Sequence, residues 1–401
     1  MSDKIDNKKI YLDYAAMTPI DTEVLAKMNK YYSNEFGNPS SMYESGRKAM
    51  NEIFHAREII SKCICADPKE ILFTASGTES DNLAIFGVAS KYEKRGKHII
   101  ISSIEHKAVL ESANALKKRG FEISNVSVDS SGFINKEELI SLVRPDTILI
   151  SIIYVNNEIG VIQNIPEIFN DIRKKFGKSC PVLHTDACQA VGHVDIDVKS
   201  LGADLVSMNS SKIYGPKGVG ILYKNKDIGI SSLIFGGAQE FGIRAGTESV
   251  PQIMGCALAF EKATELRENE EERYKQLRNH VISSLRNNIP SISFNGHCEM
   301  VANHILHMTI PKIEGESIIL LLDQYGIEVS TGSACSSNDL QASHVLYAIG
   351  QSDELIHGSI RISFGRDTQK EDLDYFVEKL KTVVEKLLKI SVLTSHEYER
   401  K

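Results

Sequence analysis

Tryptophan is absent from the 401 residues, and cysteine is sparse: seven, at Cys63, Cys65, Cys180, Cys188, Cys256, Cys298 and Cys335, with no Cys-x-x-Cys pair. An odd, scattered set fits neither a disulfide-stapled secreted framework nor a zinc ribbon. No apolar run approaches the roughly 18 residues that span a bilayer, and the polar start MSDKIDNKKI carries no signal-peptide pattern. A soluble, cytoplasmic protein is therefore expected. Surplus positive charge is missing as well. The net charge is −7, which argues against direct binding to nucleic acid or to an anionic membrane. Internal repeats and low-complexity tracts are also lacking.

What the chain does have is alternation of short apolar runs with helix-length amphipathic segments. KEILFTAS, HIIISSIE, DTILISIIYVN, CPVLHTDA, DLVSMNSS and GVGILYK read as strands separated by helical stretches such as TESDNLAIFGVASKYEKRG. This pattern predicts an α/β fold with a mostly parallel sheet covered by helices. From Val250 a charge-rich helical stretch follows, then a second strand and helix set: NHILHMTIP, GESIILLLDQYG, IEVST and GSIRISFG. A large domain over 15–262 and a smaller α/β domain over 1–14 and 263–401 are expected. Thr368 and Glu371 stand at capping-box spacing, ahead of a helical stripe through Leu373, Phe376, Val377, Leu380, Val384 and Leu387.

Several short motifs carry polar chemistry at the ends of these runs. In SSKIYGPKG, Lys212 lies directly beyond a strand and suits a Schiff-base amine, while Lys217 sits in a Gly-Pro-Lys-Gly turn that faces solvent. Asp186 ends PVLHTD, 26 residues before Lys212; it suits either pairing with a pyridinium nitrogen or a helix N-cap. Ser76-Gly77-Thr78 turns a strand into a helix, which is a phosphate cradle or an ordinary cap. His106 follows HIIISSIE, where open α/β sheets place ligands. It suits stacking on a flat ring and proton handling, or a buried cap of the next helix. Cys335, in TGSACSS, has small polar neighbours rather than Val, Leu or Ile, the setting of an exposed loop thiol. Nucleophilic use of that thiol requires local activation.

In chain order, YLDYAAMTP at Tyr11, GNPSS at Gly37, TESDNLAI at Thr78, EHKAVL at Glu105, VNNEIGVIQ at Val155, HTDACQA at His184, SKIYGPKG at Ser211, RAGTE at Arg244, STGSACSS at Ser330 and SIRISFGR at Ser359 span the sequence nearly end to end. Together they resemble the cysteine desulfurases of the class V aminotransferase family, pyridoxal-phosphate fold type I. The resemblance implies pyridoxal 5'-phosphate on Lys212, its phosphate held by Gly77 and Thr78, His106 stacked on the ring, Asp186 on the ring nitrogen and Gln189 on the phenolic oxygen. Asn157 and Arg361 would clamp the carboxylate of L-cysteine. Cys335 would take the sulfur as a persulfide, leaving alanine, and pass it to a sulfur-acceptor protein. Iron–sulfur cluster assembly, tRNA thiolation or DNA phosphorothioation are the expected destinations, with any DNA step carried out by a partner.

The separation of 26 positions from Cys335 to Arg361 resembles the long-loop group I. The family also implies a homodimer in which Thr247 reaches the partner's phosphate site. This chain departs from the family at Asn209 and Ser211, which stand where relatives usually have serine and histidine; both can still donate to phosphate oxygens. A selenocysteine lyase-like enzyme and a non-catalytic, partner-binding scaffold are the two alternatives.

Overall fold

The computed structural model describes residues 9–331 and 342–390. Twelve strands are assigned among them: β1 (Ile10–Tyr11), β2 (Ile71–Thr74), β3 (His98–Ser102), β4 (Glu122–Val126), β5 (Thr147–Ser151), β6 (Val182–Asp186), β7 (Leu205–Asn209), β8 (Gly220–Lys224), β9 (Ser293–Asn295), β10 (Ile305–Thr309), β11 (Ile327–Glu328) and β12 (Ser359–Ser363). Seven form one sheet in the order β2-β8-β7-β6-β5-β3-β4. The neighbours β4, β3, β5, β6 and β7 run parallel, and β8 runs antiparallel to both β2 and β7.

Near-continuous apolar strands such as Ile99-Ile100-Ile101 and Ile148-Leu149-Ile150 are buried completely or nearly so, as required of a parallel sheet with helices on both faces. Helices Gly77–Tyr92 and Lys107–Lys117 cover one face, through Leu83, Val88 and Leu116. Glu44–Cys63, Ile165–Phe176 and the start of Val250–Asn288 cover the other, through Ile60, Phe169 and Phe260. The mixed α/β architecture expected from the sequence is thus present. Edge strand β4 escaped the reading, because EISNV is polar and half exposed and lacks the apolar run that marked its neighbours.

Helix Val250–Asn288 continues unbroken for 39 residues. Its first half packs on the large sheet through Val250, Met254 and Phe260. Its second half joins a separate core through Tyr274, Val281 and Leu285, with β10, β12 and the helix Lys370–Ile390. In that second unit β10 pairs antiparallel with β9 and β12, and N-terminal β1 pairs parallel with β11. The capping of Lys370–Ile390 differs from the capping-box reading by one residue. Thr368 Oγ1 accepts from Gly365 N at 2.9 Å, and Asp372 Oδ2 accepts from Gln369 N at 2.8 Å. Among the described residues no helix is long and apolar enough to cross a membrane.

Gly220 shows how the sheet shapes the site. It pairs with Thr74 on one side and Asn209 on the other, and a Cβ there would lie 2.4 Å from the backbone carbonyl of Ser76. Gly220→Ala is expected to displace the turn at Ser76 and to destabilise the protein by about 1–3 kcal/mol, measured by urea unfolding.

Candidate active site

A cavity of about 450 Å³ opens at the C-terminal edge of the parallel strands. Lys212, His106, Asp186, Gln189, Gly77, Thr78, Asn209, Ser211, Asn157 and Arg361 all line it. Of the expected site residues, Thr247 is exposed and is not among the lining residues, and Cys335 lies outside the described residues.

Lys212 leaves the end of β7 through a tight turn. Tyr214 in that turn adopts φ 62°, a left-handed conformation that is costly for a tyrosine. Two contacts hold it: its hydroxyl accepts from Arg366 N at 2.6 Å, and the Arg366 guanidinium lies 4.1 Å over its ring. Lys212 Nζ donates to the Ala16 carbonyl, which ties the amine to the segment following β1. Lys217 Nζ donates to the Thr18 carbonyl at 3.2 Å; the residue is exposed, as expected of its turn, and it also lines the cavity.

Ser76 caps helix Gly77–Tyr92, with its side chain accepting from Glu79 N at 3.1 Å. The helix N-terminus therefore faces the cavity with its positive dipole end. Gly77 is required there, since a Cβ would meet Cys188 Sγ at 2.6 Å and Asn209 Nδ2 at 3.2 Å. Asn209 Oδ1 is buried without a hydrogen-bond partner, and a turned amide would present NH₂ from that position. An orphaned amide, a close-approach glycine and a helix N-terminus beside a lysine fit the phosphate and aldehyde ends of pyridoxal phosphate.

His106 accepts from Ala108 N through Nδ1 at 3.1 Å, so in the neutral ring Nε2 carries the proton. It is a helix N-cap and a cavity residue at once. Asp186 Oδ1 accepts from Cys188 N at 2.8 Å, which fixes the carboxylate at the end of β6. Gln189 Nε2 donates to the Ala15 carbonyl at 2.8 Å. Ser211 meets Thr18 through its backbone carbonyl, which accepts from Thr18 N and Oγ1, each at 3.0 Å.

Arg361, also in the cavity wall, is 2% exposed, and its contacts include the following. Nη1 donates to the Asn157 carbonyl at 2.7 Å, and Nη2 pairs with Asp13 Oδ1 at 2.7 Å. Asn157 thus acts on the guanidinium through its backbone. Asp13 was not singled out in the sequence, where a lone acid in YLDYAA carries no spacing signal. Also missed were Asp81, Glu105, Cys188 and His344. Cys188 is half-buried at the cavity wall, and its thiol pKa is pushed well up by desolvation first and by Asp186 and Asp81 next, so it stays protonated. His344 Nε2 is 2.9 Å from the Glu105 carbonyl, and Ser343 Oγ donates to Glu158 Oε2 at 2.5 Å. On the other side of residues 332–341, Ser330 pairs with Arg361 in an antiparallel bridge.

Glu105 is completely buried beneath this edge. Its Oε1 accepts from Ser102 Oγ at 2.5 Å and from Ile153 N at 2.6 Å. Burial, the leading cause, and the Asp186 charge push its pKa up to about 8, against those hydrogen bonds. The folded state keeps this proton up to about pH 8, whereas the unfolded chain loses it near 4.5. Stability from this group is therefore fully present below pH 4.5 and falls as pH rises to about 8. Relative to Glu105→Gln, the wild-type unfolding free energy is expected to decline across that window and then level off, as followed by chemical denaturation at each pH.

The aminotransferase class-V family model matches residues 10–376. The cysteine desulfurase IscS of Dictyoglomus turgidum is 47% identical over 385 residues, covering 96% of each chain. A solved NifS-like protein superposes with a TM-score of 0.89 at 37% identity, covering 95% of this chain and 100% of that one. A structure of SspA in complex with cysteine gives a TM-score of 0.78 at 35% identity, covering 89% and 99%. The chain belongs to the class-V aminotransferase family and, within it, to the cysteine desulfurases.

Proposed function

We propose that this protein uses pyridoxal 5'-phosphate to convert L-cysteine to L-alanine and passes the sulfur, through Cys335, to an acceptor protein. The observation that carries the reading is the convergence of the Lys212 amine and the Asp186 carboxylate, from the ends of adjacent parallel strands, on a cavity with Arg361 in its wall. Pyridoxal phosphate, when bound, supplies an electron sink for bond cleavage at the carbons of the amino acid. Gly77, Thr78, Asn209 and Ser211 would hold its phosphate, Asp186 its ring nitrogen, Gln189 its phenolic oxygen and Lys212 its aldehyde carbon. A lysine held to a backbone carbonyl in a partly buried site is kept in place to receive the cofactor and then to move the substrate α-proton. His106, with its proton on Nε2, would stack on the ring and donate.

Arg361 would receive the substrate carboxylate, held in orientation by the Asn157 carbonyl. A second anion on the same guanidinium must share it with Asp13, so the cation stays paired before and after substrate arrives. Cys335 would attack the substrate sulfur: an S–S bond forms as the C–S bond breaks, and the carbon fragment gains protons to leave as alanine. Both flanks of its segment support this, since Ser330 is bridged to Arg361 and Ser343 and His344 are bonded to the cavity wall.

The large unit, 15–262, would hold the cofactor. The small unit, 1–14 with 263–401, would carry Arg361 and the Cys335 segment. In a homodimer, Thr247 would reach the phosphate site of the other subunit; its exposure and its absence from the lining of its own cavity support that role. A cytoplasmic location is part of the same reading.

The test is alanine release from L-cysteine by cofactor-loaded protein with a reductant present. Wild type is expected to release alanine and Cys335→Ala to lose persulfide formation while keeping the cofactor's visible absorbance. Lys212→Ala is expected to lose both. Full turnover by Cys335→Ala would reject the nucleophile and favour the selenocysteine lyase-like alternative; no alanine from wild type would favour the scaffold. Arg361→Ala is expected to raise KM for cysteine by about tenfold or more with a smaller change in kcat, because the ion pair to the carboxylate exists before and during the reaction. Steady-state kinetics check this, and an unchanged KM rejects the clamp.

A further inference from the structure

Among the described residues two clusters bring three metal-ligating side chains together. In one, His193, Glu271 and His304, the imidazoles are stacked with centroids 3.4 Å apart and planes 14° from parallel. Ring lone pairs lie in the ring plane, so these point side by side rather than at one ion. The other cluster is Asp81, His106 and Asp186, whose ligating atoms lie within 4.8 Å of one another. It contains one residue to which the catalytic reading gives no role.

That residue is Asp81, on the second turn of helix Gly77–Tyr92, 1% exposed yet lining the cavity. Its Oδ1 is buried without a hydrogen-bond partner and lies 3.7 Å from His184 Nε2. His184 already spans two hydroxyls, Ser151 Oγ at 2.8 Å from Nδ1 and Ser207 Oγ at 3.0 Å from Nε2. Burial keeps His184 neutral, with its pKa pushed down to about 3, so it supplies no counter-charge. Ser207 also stands where its hydroxyl can donate toward Asp81. If Ser207 donates to Asp81, it must accept from His184, and His184 in turn accepts from Ser151. The donor chain then ends at Asp81, with Asp186 beyond it.

Two ionised carboxylates at this separation, with Glu105 buried nearby, would repel strongly in a low-dielectric pocket. Only one needs a charge, the one that faces a ring nitrogen. Burial first, then Asp186, raises the Asp81 pKa well above the ordinary carboxylate range. We propose that Asp81 is a positioning residue that stays protonated and offers its proton toward Asp186, so that Asp186 alone carries the negative charge facing the cofactor ring. The charged or titratable groups around the pair are His106, His184, Glu105, Cys188 and Lys212.

The inference rests on the pyridoxal-phosphate reading, and the test separates the two. Wild type, Asp81→Asn and Asp81→Ala are stripped of cofactor, checked for fold by thermal unfolding, and titrated with pyridoxal 5'-phosphate; bound-cofactor absorbance is then followed against pH. Asparagine is neutral, of similar shape and a donor, so Asp81→Asn is expected to bind within about threefold of wild type and to keep its absorbance midpoint. Asp81→Ala is expected to bind about tenfold or more weakly and to shift the midpoint upward, because Asp186 loses its donor. An Asp81→Asn variant as impaired as Asp81→Ala would mean that the charge of Asp81 matters and would overturn the proposal. Two silent variants would overturn it as well. Wild type that takes up no cofactor would overturn the functional reading, and this inference with it.

Discussion

Parallel pairing places the C-terminal ends of β3, β5, β6 and β7 on one edge, and the chemistry of the protein depends on that edge. Strands β3, β5 and β6 are each followed by a crossover on a sheet face and β7 by a turn into antiparallel β8, so the residues just beyond these strand ends meet in the crevice at that edge. His106, Asp186 and Lys212 occupy those positions. Strand β8 is the exception in direction, and it brings Gly220 against Ser76 so closely that the turn opening the next helix is seated on bare backbone. The helix N-terminus, the Asp186 carboxylate and the Lys212 amine are set by the same sheet, while Arg361 comes from elsewhere.

That arginine reaches the site across two units. Arg361 belongs to β12, in the small antiparallel sheet, yet its guanidinium ends on Asp13 near the N-terminus and on the Asn157 carbonyl in the loop after β5. A buried arginine deprived of its acid costs several kcal/mol, so the pair also fixes how the small unit meets the large one. The same arrangement resolves an electrostatic difficulty. A chain of net charge −7 must receive a phosphate and a carboxylate, and the wall already holds Asp81, Glu158 and Asp186, with Asp13 on Arg361. The helix N-terminus, Lys212 and Arg361 supply the local positive field that the overall charge does not. Keeping some of the acids neutral by burial, as at Glu105, removes repulsion that the field would otherwise have to offset.

The sequence was informative where chemistry sits at the end of an apolar run. Lys212, Asp186 and His106 could be picked out because a polar residue directly after a buried strand has few places to go. The strands themselves were visible for the same reason, apart from β4, whose outer edge allows polar residues. Asp81 and Glu105 were not picked out. One lies inside a helix and the other in a loop, and an acid there ordinarily faces solvent; only the packed structure shows that they turn inward. Asp13 was hidden because its partner is 348 residues away. The capping of the last helix slipped by one residue because Thr368 and Asp372 both offer acceptors within the same turn, and spacing alone cannot choose between them.

Sulfur transfer poses a geometric demand that the described residues address from both sides. A thiol that collects sulfur in a cavity and delivers it to another protein must move between the two, so its segment needs firm ends and a reach that covers that distance. Ser330, bridged to Arg361, fixes one end to the strand that carries that arginine. At the other, Ser343 caps the following helix through Leu346 N at 3.2 Å while donating to Glu158, and His344 bonds to the Glu105 carbonyl. Cys335 is four peptide bonds from Thr331, so with that end held its reach is at most roughly 13–14 Å. The anchors on either side of the segment therefore lie in the cavity wall itself, and the short arm from Thr331 to Cys335 requires that any sulfur acceptor be met close to the mouth of the cavity.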